Sequence, residues 1–153
     1  MGMSAAVALF RNCTSSRLRA WDVIDRSSPG ATRRICATSS TAPVLEGRWL
    51  RPGAFVDLVG SFTPGAREAD DDAVLRARIF VDTFEGALAE AGDLIDPISR
   101  GVIGRERVEG ELADLVSGRV AGRLSAEEIT LFKSVGTAIE DLATARLILA
   151  ADD

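Results

Sequence analysis

The chain has 153 residues, 18 basic and 23 acidic side chains and a net charge of −5, enough length for one domain with its own core and too acidic to take nucleic acid as its main partner. Histidine and tyrosine are absent, which excludes Ser-His-Asp and Cys-His catalysis and the common zinc sites; proton transfer is left to carboxylates, to the single lysine Lys133, to water or to the substrate. No apolar run reaches the roughly eighteen residues of a transmembrane helix, and the two cysteines, Cys13 and Cys36, are too few for a disulfide framework and read as free thiols of a cytoplasmic protein.

A charge seam divides the chain. Residues 1–34 hold six arginines and two aspartates, whereas residues 35–153 hold twelve basic and twenty-one acidic residues. The first segment lacks clean periodicity, and "NCTSSRLR" and "DRSSPGATRR" read as loop or disorder. "SAAVALF" suits one short helical turn or a strand; it is too short and lacks the preceding basic residue of a signal peptide. Residues 1–34 are therefore expected to be a poorly ordered leader.

Beyond the seam the pattern sharpens. "RICATSS" reads as a strand ending in hydroxyls, "LEGRWLRPG" as a turn-and-helix connector, and "AFVDLVG" as a strand stopping at a glycine. A helix is expected from about Asp70, with Asp70, Asp71 and Asp72 favouring its positive N-terminal end, then a strand over Ile79–Asp82. "FEGALAEAGDL" predicts a helix ended by Gly92, and "VEGELADLVSGRVAGR" one closed by Gly118. From Glu128 the spacing of Phe132, Val135, Ile139, Leu142 and Arg146 predicts a long helix with one apolar stripe. Gly136 near its start would cost about 1 kcal/mol relative to alanine, and the bare spacing leaves two readings open, close approach of a ligand or close helix-on-sheet packing.

Strands alternating with helices predict an α/β fold with a parallel sheet and right-handed crossovers. Ligands of such sheets bind beyond the carboxyl ends of the strands, here Thr38–Thr41, Val59–Thr63 and Asp82–Thr83. The dinucleotide fingerprint G-x-G-x-x-G occurs nowhere in the chain.

Three ordered blocks, "TSSTAPVLEGRWLRPGAFVDLVGSFTPGAREADDDAVLRARIFVDT", "EAGDL" and "GRLSAEEITLFKSVGTAIEDL", resemble the carboxyl-terminal part of the ornithine cyclodeaminase / mu-crystallin family. The resemblance runs from about Ile35 to Leu149. "LVGSFTP-x-x-READ" is similar to members that reduce cyclic ketimines such as Δ1-pyrroline-2-carboxylate. The family implies a Rossmann domain that binds NAD or NADP, a homodimer, and a dimerisation domain to which a carboxyl-terminal helix returns. In those terms residues 35–127 are the second half of the Rossmann-like domain, and residues 128–153 are the returning helix.

The resemblance also implies site residues. Thr38, Ser39, Ser40 and Thr41 match a hydroxyl-rich turn bordering the cofactor. Val59 and Gly60 match the strand end beside the nicotinamide, and Ser134 and Gly136 match the turn that approaches it. Phe62 and Glu90 match positions of the substrate pocket. Phe62 stands where cyclodeaminases carry the aspartate of Val-Gly-Gly-Asp, so the base for internal proton transfer is missing. That departure favours reduction of a cyclic imino acid over conversion of ornithine to proline and ammonia, and no catalytic side chain is assigned. The family's glycine-rich loop and substrate-binding arginine and lysine find no match in residues 1–34. The expectation is thus a truncated or frame-shifted chain that is inactive alone, with a partner-binding remnant as the alternative, exposing Ile129, Phe132 and Ile139.

Overall fold

The computed structural model describes residues 33–151, so the expected disorder of the leader, and Cys13 with it, lie outside the described residues. Five strands, β1 (Arg33–Cys36), β2 (Phe55–Leu58), β3 (Arg78–Val81), β4 (Val108–Glu111) and β5 (Thr130–Lys133), form one sheet in the order β1-β2-β5-β3-β4. Every pairing is parallel, as the alternation of elements predicts. Among the described residues five helices accompany them: α1 (Asp71–Arg76), α2 (Phe84–Glu90), α3 (Gly92–Ser99), α4 (Leu112–Ser117) and α5 (Ala138–Ala151). The connector at Gly47–Trp49 is a short 3-10 turn.

Side chains alternate across the sheet with period two. The pairing register places Val56, Leu58, Ile79, Val81, Leu131 and Lys133 on one face. That face is the core, and all six are sealed from solvent. On the other face Phe55, Asp57 and Phe132 are half-buried, and Leu112 and Leu115 of α4 line a groove with Phe55, Phe80 and Phe132. The starts of α1 and α2 follow the sequence closely. Asp70 caps α1 by accepting the Ala73 N–H at 2.9 Å, and Thr83 caps α2 by accepting that of Gly86 at 3.2 Å, contacts of about 1 kcal/mol each. Gly118 ends α4 in the left-handed region, φ 72°, where a side chain would be strained.

Four expectations fail. First, the helix predicted from Glu128 is two elements: Thr130–Lys133 is β5, the central strand, and α5 starts only at Ala138. The strand is only four residues, Thr-Leu-Phe-Lys, and so short a segment cannot be told from a helix turn by spacing alone. The boundary at residue 128 therefore assigns the middle strand of the sheet to the wrong unit, and Ile129, expected to be exposed, is buried. Phe132 is half-buried; only Ile139 of that trio is exposed, at 73%. Second, the predicted helix over 108–118 begins with a strand. Val108 and Gly110 point inward while Glu109 points out, an alternation hidden by residues of low strand preference.

Third, Gly92 starts α3 instead of stopping α2. A Cβ on Gly92 would lie 2.1 Å from the Ala66 carbonyl oxygen and 2.8 Å from those of Thr63 and Pro64, so its missing side chain permits close backbone packing. Fourth, the seam at residue 34 falls inside a strand, because Arg33 and Arg34 pair with Phe55 and Val56.

Candidate functional site

At the carboxyl edge of the sheet the backbone ladder continues past the strands. Val59 N–H donates to Cys36 O at 2.8 Å, Ser134 N–H to Leu58 O at 3.0 Å and Asp82 N–H to Lys133 O at 3.3 Å. The ends of β1, β2, β5 and β3 thus lie side by side, where ligands of parallel sheets bind. This arrangement gathers the turn Thr38–Thr41, the segment Val59–Phe62 and the loop Ser134–Gly136.

The segment Arg67-Glu68-Ala69-Asp70 runs beneath them. Glu68 is fully buried, and its carboxylate accepts the backbone N–H of Thr38 at 2.5 Å and of Gly60 at 2.7 Å. Asp93, also fully buried, accepts the N–H groups of Glu68 and Ala69 on Oδ1 at 2.8 and 2.9 Å. Its N–H donates to Ser61 Oγ, and Ser61 donates in turn to Ala66 O. Arg67 Nε lies 3.8 Å from Asp93 and donates to Ala69 O. Asp70 accepts the Gly47 N–H as well as its own helix cap. Burial pushes the Asp93 carboxyl above its usual range, against the opposing pull of the two backbone N–H groups and Lys133.

Lys133, at the end of β5, is fully buried. Its ammonium donates to Leu58 O at 3.1 Å and to Ser134 O at 2.8 Å. Burial lowers its pKa, and the charges of Asp93, Glu68, Asp82 and Asp57 oppose that shift. Asp82, at the end of β3, is 4% exposed. Its Oδ2 accepts the N–H groups of Val135 and Gly136, both at 2.8 Å, and the Ser134 hydroxyl at 3.1 Å. Gly136 follows the strand in a loop with φ 89°. This corrects the expectation of a helical glycine: Gly136 is needed for its positive φ, and a Cβ there would meet nothing within 4 Å.

The predicted residues divide into two groups. Thr38, Val59, Gly60, Ser134 and Gly136 are brought to one edge by the hydrogen bonds just described. Gly60 does more than turn the chain, since a Cβ there would lie 2.0 Å from Thr38 O and 2.4 Å from Glu68 Oε1. Ser40 closes its own turn with Ala42, while Ser39 and Thr41 stand exposed. Val59 and Phe62 are 43% and 55% exposed. Glu90 is exposed at the end of α2, two residues before Gly92, which packs on the loop following Phe62. Sequence reasoning missed Glu68, Asp93 and the burial of Lys133. The "READ" block carried the signal for Glu68, but its partners lie in other segments.

This edge offers an apolar ledge, Val59 and Phe62, beside exposed hydroxyls, Ser39 and Thr41. Residues 59–65 contain no carboxylate, so the ledge can orient a flat ring but supplies no base. The set fits the ring end of a dinucleotide. The starts of α1 to α4 offer no cradle for the pyrophosphate: Asp70, Thr83 and Ser61 already accept N–H groups at the starts of α1, α2 and α3, and α4 is tied at Glu111 to Asp114. Among the described residues no cluster of three or more His, Cys, Asp or Glu could hold a metal, and no helix is long and apolar enough to cross a membrane.

Comparison with known proteins places this geometry in a family. The chain is 45% identical over 127 residues to Protein SAR DEFICIENT 4 of Arabidopsis thaliana, covering 83% of this chain and 39% of that protein. It is 34% identical over 139 residues to ketimine reductase mu-crystallin of Mus musculus, covering 91% and 42%. Among solved structures, Δ1-pyrroline-2-carboxylate reductase of Thermococcus litoralis, in complex with NADH and L-proline, superposes with a TM-score of 0.74 at 44% identity, over 78% of this chain and 37% of that one. The chain thus spans about two fifths of the length of the curated relatives it matches. The model of the ornithine cyclodeaminase/mu-crystallin family matches residues 7–151, beginning inside the segment that sequence reading left outside the resemblance. With nearly the whole chain matched and the parallel sheet shared, this protein belongs to the ornithine cyclodeaminase/mu-crystallin family.

Proposed function

We propose that this chain forms the ring-side edge of an NAD(P)H-dependent reductase of cyclic ketimines of the Δ1-pyrroline-2-carboxylate type. The observation that carries the reading is the carboxylate-free apolar ledge of Val59 and Phe62 at the carboxyl edge of the sheet. It belongs to a chain 44% identical, over the shared span, to a reductase solved with NADH and L-proline.

A bound dihydronicotinamide supplies the hydride. The chain's own residues position and exclude water, which is the protein's main task in such chemistry. Val59 and Gly60 form the floor of the ring site, and Ser39, Thr41 and the Ser134 oxygen border it with polar groups. Phe62 covers the imine side and Glu90 borders it. An iminium substrate arrives protonated, so the lack of histidine and tyrosine is no obstacle. Phe62 in place of a base speaks against the cyclodeaminase reaction. Helix α5, whose Ile139, Leu142, Leu147, Ile148 and Leu149 are all more than half exposed, would seat its apolar surface on a dimerisation domain.

Titration of the isotope-labelled chain with NADH tests this. The chain lacks the glycine fingerprint that cradles a pyrophosphate, so binding is expected to be weak, around 1 mM, or about 4 kcal/mol. Amide shifts should concentrate at Thr38–Thr41, Val59–Gly60 and Ser134–Gly136. Shifts confined to other segments would sink the reading, and micromolar affinity would sink the assignment to the ring end alone. Imine-dependent NADH oxidation, without ammonia release from L-ornithine, is the expected pattern for the whole enzyme.

A further inference from the structure

Three buried charged side chains stitch the four strand ends together in spatial order. Glu68 joins the ends of β1 and β2 through Thr38 N–H and Gly60 N–H. Lys133 joins those of β2 and β5 through Leu58 O and Ser134 O. Asp82 joins those of β5 and β3 through the N–H groups of Val135 and Gly136. Exposures are 0%, 0% and 4%.

Two features separate this set from ordinary core packing. Burying a charge costs several kcal/mol, and apolar replacements of buried ions are often as stable or more so. Stability alone therefore gives no reason to place Glu, Lys and Asp here. These charges also spend their hydrogen bonds on backbone groups and one hydroxyl instead of on each other. Such bonds are directional, and each fixes two chain segments at once. Strand ends otherwise hold only the last rungs of a ladder.

We propose that Glu68, Lys133 and Asp82 are positioning residues that hold the ends of β1, β2, β5 and β3 as one rigid platform for the ring end of the cofactor, an inference that rests on the function proposed above. Glu68 sets the Thr38 turn against Gly60, Lys133 sets the Val59 strand end against the Ser134 loop, and Asp82 fixes that loop's path through Gly136.

Native-state amide exchange on the full isotope-labelled chain tests the proposal without requiring any ligand. In the unaltered protein the amides of Thr38, Gly60, Val135 and Gly136 should exchange nearly as slowly as strand amides such as Val56 and Ile79. Exchange as fast as at exposed Ser39 overturns the proposal even if no variant folds. Glu68→Gln should speed Thr38 and Gly60 by about tenfold or more while leaving Gly136 unchanged, and Asp82→Asn should do the reverse, since local openings are read amide by amide. Lys133→Met should loosen Ser134 selectively. Uniform acceleration that includes Val56 and Ile79 would mean a general loss of stability and overturn the positioning role. NADH-induced shifts are scored separately: their absence, with slow exchange intact, overturns the cofactor reading alone.

Discussion

A Cβ placed on Gly60 would stand 2.0 Å from the carbonyl oxygen of Thr38 and 2.3 Å from its nitrogen. The ends of β1 and β2 approach so closely that only glycine fits between them and the Glu68 carboxylate. Gly60→Ala is expected to cost about 3 kcal/mol or more, at the upper end of overpacking effects. Gly136→Ala should cost only the left-handed backbone penalty, about 1–2 kcal/mol, because its Cβ meets nothing within 4 Å. Urea denaturation of the two variants measures the contrast, and equal costs would contradict the close approach at Gly60.

Asp93 holds two buried backbone donors. Asp93→Ala leaves the N–H groups of Glu68 and Ala69 without their acceptor, at about 1–3 kcal/mol each. Asp93→Asn keeps an oxygen in place and should recover most of that loss. Burial raises the Asp93 pKa, so between the unfolded value and the folded value the folded state holds the extra proton. This carboxyl's contribution to stability is therefore present in acid and lost as pH rises through the folded pKa. Comparing pH–stability curves of the chain and of Asp93→Asn should show that step in the first and not in the second.

Cys36 is 2% exposed, and burial, followed by the charges of Glu68, Asp93 and Asp57, pushes its thiol from 9.0 up to about 12. The unfolded thiol ionises first. The contribution is therefore complete below pH 9 and is lost as pH rises toward 12, up to about 4 kcal/mol. The stability difference between the chain and Cys36→Ala should shift by that amount over this window. At pH 8 the thiol should resist iodoacetamide until the protein unfolds, as mapped on its own peptide by mass spectrometry.

Helix α5 carries an apolar surface with little cover, Ile139 at 73% exposure and Leu142 at 56%. Leu142→Glu should leave stability within about 0.5 kcal/mol and reduce self-association in sedimentation experiments, because exposed apolar patches drive association. A drop of several degrees in Tm would mean that α5 packs on the sheet in solution.

Local chemistry made part of this protein legible in its sequence. Asp70 followed by an acidic turn marks the start of α1, Gly118 marks the end of α4, and "AFVDLVG" and the segment from Ile79 mark β2 and β3, because caps, left-handed glycines and apolar runs act within a few residues. The parallel sheet followed from the alternation of elements, and the "LVGSFTP" and "READ" blocks led to the family. Tertiary structure alone decided that Thr130–Lys133 is the central strand, because strand pairing is made with partners far along the chain and four residues are too few for spacing to separate a strand from a helix turn. It also decided where the charges go. Glu68 meets Thr38 across 30 residues, Asp82 meets Gly136 across 54, and Lys133 meets Leu58 across 75. The desolvation of a charge and the backbone groups that offset it depend on segments that only the folded chain brings together.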